Sequence, residues 1–210
     1  MRTPPALAAL ALLVCLAGCG PAPADAPRPA STLTPTGVAA LAQTPEIVAA
    51  RERAGIADCP VGRPGQQPVD KGLPDVTLAC LGSDRTVELR ALRGRPMVVN
   101  LWAQWCEPCR AEAPALRGAS EKAGDKVLFL GIDYNDPRPD LAVDFAAQSR
   151  WRYPHLVDPE RTTSPGLRVP GIPLTLLVDG SGVIRHRVVG GIADERELVR
   201  LIKVHLGVTL

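Results

Sequence analysis

The chain is 210 residues long and 46% hydrophobic, with 24 basic against 22 acidic side chains and a formal net charge of +2. That length fits one domain of about 150 residues with appendages, and the near balance of charge excludes a nucleic-acid binder built on a basic patch. Aromatic residues at 3% leave no base-stacking surface, and 22 prolines are too many for an all-helical bundle.

In chain order, Arg2 precedes an apolar run from Ala6 to Gly18. The run is too short to cross a bilayer, which takes roughly 20 residues, but it suits the hydrophobic core of an export signal. It ends in Leu16-Ala17-Gly18-Cys19, which resembles the lipobox of bacterial lipoproteins, where cleavage before the Cys follows its thioether lipidation. The alternative is an ordinary signal cut after a small residue, with Cys19 a bystander. Residues 19–44, rich in Pro and Ala and poor in large apolar side chains, read as a flexible tether. Residues 45–71 read as an N-terminal extension holding Cys59, with Ile47, Val48 and Ala54 marking a short helix between Pro45 and Gly55. Residues 72–210 form the main domain, and the expected location is extracytoplasmic, lipid-anchored to the cell membrane.

The six cysteines sort by address. Cys15 lies inside the signal and Cys19 carries lipid, leaving Cys59, Cys80, Cys106 and Cys109. In an exported protein four thiols favour two pairs. Cys106 and Cys109 are adjacent in a Cys-Glu-Pro-Cys motif, so Cys59 pairs with Cys80, closing a loop that stabilises by roughly 3 kcal/mol on the loop-entropy account. Free thiols and a four-cysteine zinc site are the alternatives. The 21-residue gap between Cys59 and Cys80, with no His nearby, is unlike zinc-ligand spacing.

Pro96 to Ala103 is a mostly apolar, β-forming run that reads as a buried strand. It leads directly into Gln104-Trp105-Cys106-Glu107-Pro108-Cys109 and then helix-forming residues, so Cys106 is predicted at a helix N-terminus. Unpaired N–H groups and the positive end of the helix dipole there favour a thiolate, the attacking species. Cys109, one turn on, can resolve a mixed disulfide formed at Cys106. Pro108 is tolerated in the first helical turn. Glu107 places a negative charge beside Cys106, which opposes the thiolate and makes the pair more reducing. Farther on, Lys126–Ile132 is a second apolar run, and Leu174–Val178 with Val183–Val189 forms a hairpin around Gly180-Ser181-Gly182. A helix over Asp194–Leu206 carries a capping box of Asp194 and Glu197 and a core stripe of Leu198, Leu201, Ile202 and Leu206. His155, His186 and His205 are dispersed and read as surface or packing residues.

The segment Val99 to Pro114 resembles the active-site segment of the thioredoxin superfamily, and more closely its extracytoplasmic TlpA/ResA-like branch. Leu73–Leu78 and Val87–Gly94 resemble the hairpin and turn that precede it, Gly171-Ile172-Pro173-Leu174-Thr175 resembles the family's cis-proline loop, and Val178–Gly182 its hairpin turn. The resemblance implies an α/β thioredoxin-like fold, a mixed central sheet flanked by helices with an N-terminal β-hairpin extension. It also implies that Pro173 lies against the Cys106–Cys109 pair with a cis peptide bond, and that the backbone at Ile172 pairs with substrate. Thioredoxin proper has a buried Asp where this chain has Asn100. Glu112 matches a Glu of the TlpA/ResA-like pattern and stands as the replacement proton acceptor for Cys109, the alternative being a solvated helix carboxylate.

These features define a membrane-tethered thiol–disulfide oxidoreductase acting on thiols and disulfides of exported proteins. The direction expected is reduction, for example of an apocytochrome c during cytochrome c maturation, with a membrane thiol carrier as electron partner. No cofactor, metal or nucleic acid is implied, and a monomer is expected. The rivals are an oxidase that introduces disulfides and a non-catalytic copper-binding lipoprotein. Copper carriage would call for a further Met or His ligand, and Met97 in the strand is the only Met beyond Met1. A peroxidase would need a Thr-X-X-Cys setting, which the sequence lacks.

Overall fold

The structure is a computed structural model that describes Met1 and residues 37–210. The signal, Cys19 and most of the tether lie outside the described residues. Within the stretch whose composition reads as tether, a short helix α1 (Val38–Leu41) forms and Ala42 is buried, its carbonyl accepting from the Gly82 N–H at 2.8 Å. Few large side chains are needed for that contact, so composition does not reveal it. Helix α2 (Pro45–Ala54) follows with Pro at N1 and ends on Gly55 in the left-handed region at φ 64°. Arg51 fastens this extension to the domain by donating to the carbonyl of Gly82 at 2.7 Å, while a second bond to the carbonyl of Ile56 at 2.9 Å closes the end of α2.

Strands β1 (Thr77–Cys80) and β2 (Thr86–Glu88) make the expected hairpin, and a 3-10 turn at Leu89–Ala91 leads to β3 (Met97–Trp102). Then come α3 (Glu107–Ala123), β4 (Leu128–Tyr134), α4 (Pro139–Gln148), β5 (His155–Asp158) and α5 (Ser164–Leu167). The chain closes with the β6 (Leu174–Val178) and β7 (Ile184–Val189) hairpin and α6 (Glu195–Leu206). The strands form one sheet in the order β2-β1-β5-β4-β3-β6-β7. Pairs β3–β4 and β4–β5 are parallel and the others antiparallel, so the sheet is mixed.

Strand β3 is buried along its whole length, as a run apolar but for Asn100 requires of a strand covered on both faces. Its residues alternate: Val98 and Trp102 join one apolar cluster with residues of α2, α3, α4 and α6, while Met97, Val99 and Leu101 join another. The second cluster is closed by Leu73, Leu89 and Leu92 of the hairpin region and Leu167 of α5. Side chains of Trp102, Phe145, Trp151, Tyr153 and His155 interlock in the first cluster with centroids 4.8–5.5 Å apart. Gly131 makes room for them, since a Cβ there would sit 2.0 Å from His155 Nδ1. Burial holds His155 neutral, pushing it down to about 3. His186 and His205, distant in sequence, stack with centroids 3.9 Å apart.

At the start of α6, the side chain of Asp194 accepts from the Glu197 N–H at 2.8 Å, while Glu197 accepts from the N–H of Ala193 at 2.9 Å. The capping box therefore reaches back one residue further than the standard pattern, in which the glutamate would bond Asp194 itself.

Candidate active site

The site lies at the end of the sheet where β3 hands over to α3. Cys106 is the N-cap of α3 and Glu107 and Pro108 open its first turn, so the N-terminal end of seventeen helical residues faces the first sulfur. Cys106 and Cys109 are joined as a disulfide, and the N–H of Cys109 points at Cys106 Sγ from 3.2 Å. Both sulfur-bearing residues are buried, Cys106 keeping 4% of its surface and Cys109 none. Beside them Trp105 is 51% exposed, an unusual cost for an indole away from a binding surface. Glu107 and Pro108 are exposed as well.

Pro173 arrives from the neighbouring strand. Leu174 pairs with Leu101 at the head of the β3–β6 ladder, which brings the Ile172–Pro173 segment to the same end of the sheet as the cysteines. The Ile172–Pro173 bond is cis, and Ile172 packs, half-buried, against the apolar cluster that contains both cysteines. The carbonyl of Pro173 accepts from the N–H of Gly190, which ties this loop to the end of β7, where Val189 is 63% exposed. Trp105, Ile172 and Val189 thus give this end of the sheet an accessible apolar lining.

Glu112, one turn beyond Cys109, is buried rather than solvated. One carboxyl oxygen accepts from the Asn100 side-chain amide at 2.9 Å and the other from the Ile192 N–H at 2.9 Å. Asn100 in turn donates to the Thr175 hydroxyl at 3.0 Å. Burial pushes the Glu112 carboxyl up to about 7, with the bonds from Ile192 and Asn100 pulling the other way. Such a group is both acid and base near neutrality. The bond that Thr175 accepts from Asn100 and the part of Ile192 are not legible in the sequence. Thr175 is opposite Asn100 only in the folded ladder, and Ile192 contributes a main-chain N–H that no side chain advertises.

The second disulfide joins Cys59 to Cys80, the pair left by sorting the cysteines. Both are fully buried. The Asp58 carboxylate lies 3.7 Å from Cys80 Sγ and forms an ion pair with Arg85 at 3.0 Å.

A buried strand, a Cys-X-X-Cys at a helix N-terminus and a cis-proline at the same end of the sheet define a thioredoxin-like fold. Residues 69–187 match the AhpC/TSA family, and the chain belongs to that family. It is 35% identical over 134 residues to a thiol:disulfide interchange protein DsbE of Pseudomonas fluorescens, covering 60% of this chain and 69% of the relative. It is also 35% identical over 127 residues to the thiol:disulfide interchange protein HelX of Rhodobacter capsulatus, covering 60% and 70%. Among solved structures, a DsbF homologue from Corynebacterium diphtheriae superposes with a TM-score of 0.56 at 26% identity, over 67% of this chain and 95% of that one. The protein is a thiol–disulfide oxidoreductase.

Proposed function

We propose that the protein is a lipid-anchored, extracytoplasmic reductant of disulfides in exported proteins. Cys106 is its nucleophile, Cys109 its resolving thiol and Glu112 its internal base. The observation that carries this reading is the buried Glu112 on the turn after Cys109, beside an Asn100 that cannot itself take a proton. The Cys106 thiolate attacks one sulfur of a substrate disulfide, forming a mixed disulfide and releasing the other substrate sulfur as a thiolate. Cys109 gives its proton to Glu112 and attacks Cys106 Sγ, which releases the second substrate sulfur and leaves Cys106–Cys109 oxidised. Two electrons pass to the substrate, and a membrane thiol carrier returns them.

The exposed Trp105, the half-buried Ile172 and Pro173 form the platform against which the substrate chain lies beside its disulfide. Cys59–Cys80 is a structural brace that takes no part in turnover. Cys19 carries the lipid, residues 20–36 serve as spacer, and the protein works as a monomer. The TlpA/ResA-like resemblance and the charge of Glu107 favour reduction, with the Cys-X-X-Cys-His segment of an apocytochrome c as the proposed substrate.

The reduction potential of Cys106–Cys109 tests the direction. A value near that of thioredoxin, about −270 mV, supports the reductant, and a value near about −120 mV shows an oxidase instead.

A further inference from the structure

Behind the active-site loop lies a pair of carboxyl groups that the exchange chemistry described above does not use. Asp133 is on β4 directly opposite Trp102 of β3, and Asp136 follows two residues after the strand ends. Both are buried, to 1% and 2% exposure. Asp136 is fully engaged: one oxygen accepts from the Gln104 N–H at 3.2 Å and the other from the Arg138 N–H at 2.9 Å. Asp133 has no donor on either oxygen among the described residues. An ionised carboxylate with no donor is untenable in such a place. A protonated one is tenable, because neutralising it removes the cost of burying an unpaired charge, and its O–H becomes a donor for the carboxylate of Asp136, three residues on.

Gln104 is the residue these groups act on. Its N–H is held by Asp136, and its carbonyl accepts from Arg110 at 3.2 Å, while the guanidinium of Arg110 lies over the Phe145 ring at 5.2 Å. Both main-chain polar groups of the residue two before Cys106 are therefore pinned from opposite sides. The next link is short, since the Cys106 N–H bonds back to the carbonyl of Ala103 at 3.2 Å.

We propose that Asp136 is the positioning residue of the Cys106 loop and that Asp133 stands behind it as a protonated partner. The pair then contributes one negative charge, not two, near the nucleophile. Burial and the Asp136 charge both push the Asp133 carboxyl well above the usual carboxylate range, in keeping with that arrangement. The other ionisable groups bearing on the pair do not alter it. Arg138 bonds its guanidinium to the exposed Asp140 and also attracts the Asp136 carboxylate, which favours the negative charge on Asp136, and His155, on the same sheet face two residues before Val157, the partner of Asp133 on β5, is neutral. A second ionised carboxylate would disfavour the Cys106 thiolate and loosen the mount of the loop.

The inference rests on Cys106 being the nucleophile, and its test separates the two. Difference infrared spectra of wild type and Asp133→Asn at pH 7 should show a protonated carboxyl band lost in the variant. In Asp136→Asn, amide exchange at Gln104 should accelerate at least tenfold. In the reduced double variant D133N/D136N, iodoacetamide should alkylate Cys106 at pH 6 at least threefold faster than in wild type, with Asp133→Asn alone within twofold of wild type. No carboxyl band, or an Asp133→Asn alkylation profile displaced as far as that of the double variant, overturns the shared proton. Unchanged Gln104 exchange overturns the positioning role. If wild-type Cys106 is not the thiol alkylated first, the nucleophile assignment fails, while the infrared band and the Gln104 exchange still report on the pair.

Discussion

The protein holds two disulfides that differ in almost everything but the bond. Cys106–Cys109 spans three residues at a helix N-terminus, with an exposed Trp105 alongside and the buried Glu112 carboxyl one turn past Cys109. Cys59–Cys80 spans 21 residues, is wholly buried and has the Asp58 carboxylate at 3.7 Å from Cys80. The helix end lowers the cost of a thiolate at Cys106, whereas the carboxylate raises it at Cys80. The two cystines thus differ in surroundings, and on the function proposed above that difference assigns exchange to one and a structural part to the other.

The strongest way to break that contrast is to remove the sulfurs of the reactive pair one at a time. Cys106→Ser should abolish turnover. Cys109→Ser should instead accumulate mixed disulfides through Cys106, visible on non-reducing gels of the exported proteome, because release needs the second thiol. Trapping by the Cys106→Ser form would reverse the two roles.

A smaller effect is expected at the base. Glu112→Gln keeps the shape and removes the proton acceptor, so resolution at pH 7 should slow by about 10²-fold, the lower end of general-base contributions. The same change carries a stability signature. With its carboxyl raised from 4.5 to about 7 in the fold, Glu112 favours the folded state below pH 4.5 and loses that contribution as pH rises through 7. The stability of wild type relative to Glu112→Gln should therefore fall across that window by an amount of order 3 kcal/mol, read from urea midpoints at pH 4.5 and 8. A flat difference would mean that the carboxyl titrates normally.

The least effect on activity is expected at the brace. Replacing Cys59 and Cys80 together by Ser should cost about 3 kcal/mol of stability on the loop-entropy account, seen as a lower Tm, while kcat for disulfide exchange stays within twofold of wild type. Loss of activity in a variant still folded at the assay temperature would give the brace a catalytic part.

The reactive pair was the more legible of the two regions because its determinants are local. A strand, a Cys-X-X-Cys and a helix are contiguous from Met97 to Ala123, so period and composition reveal them. The hairpin of β6 and β7 and the cap of α6 are local in the same way. What sequence did not reveal depends on long-range pairing. Helix α4 and strand β5 lie between the recognisable motifs, and the burial of His155 follows only from its place opposite Gly131 and among Trp102, Trp151 and Tyr153. The state of Glu112 depends on Ile192, 80 residues away, and the mount of Gln104 on Asp136, 32 residues away. The helical end of the tether stretch has no signature in the sequence because small residues such as Ala42 bury without an apolar pattern.

The measurement that addresses the contrast most directly is differential thiol labelling across a graded series of dithiothreitol concentrations, with each cysteine located by peptide mass mapping. Cys106 and Cys109 should become labelled together at mild reduction while Cys59 and Cys80 remain joined until the protein unfolds. Equal labelling of all four at the same reductant concentration, in protein that is still folded, would contradict the division into an exchanging pair and a structural one.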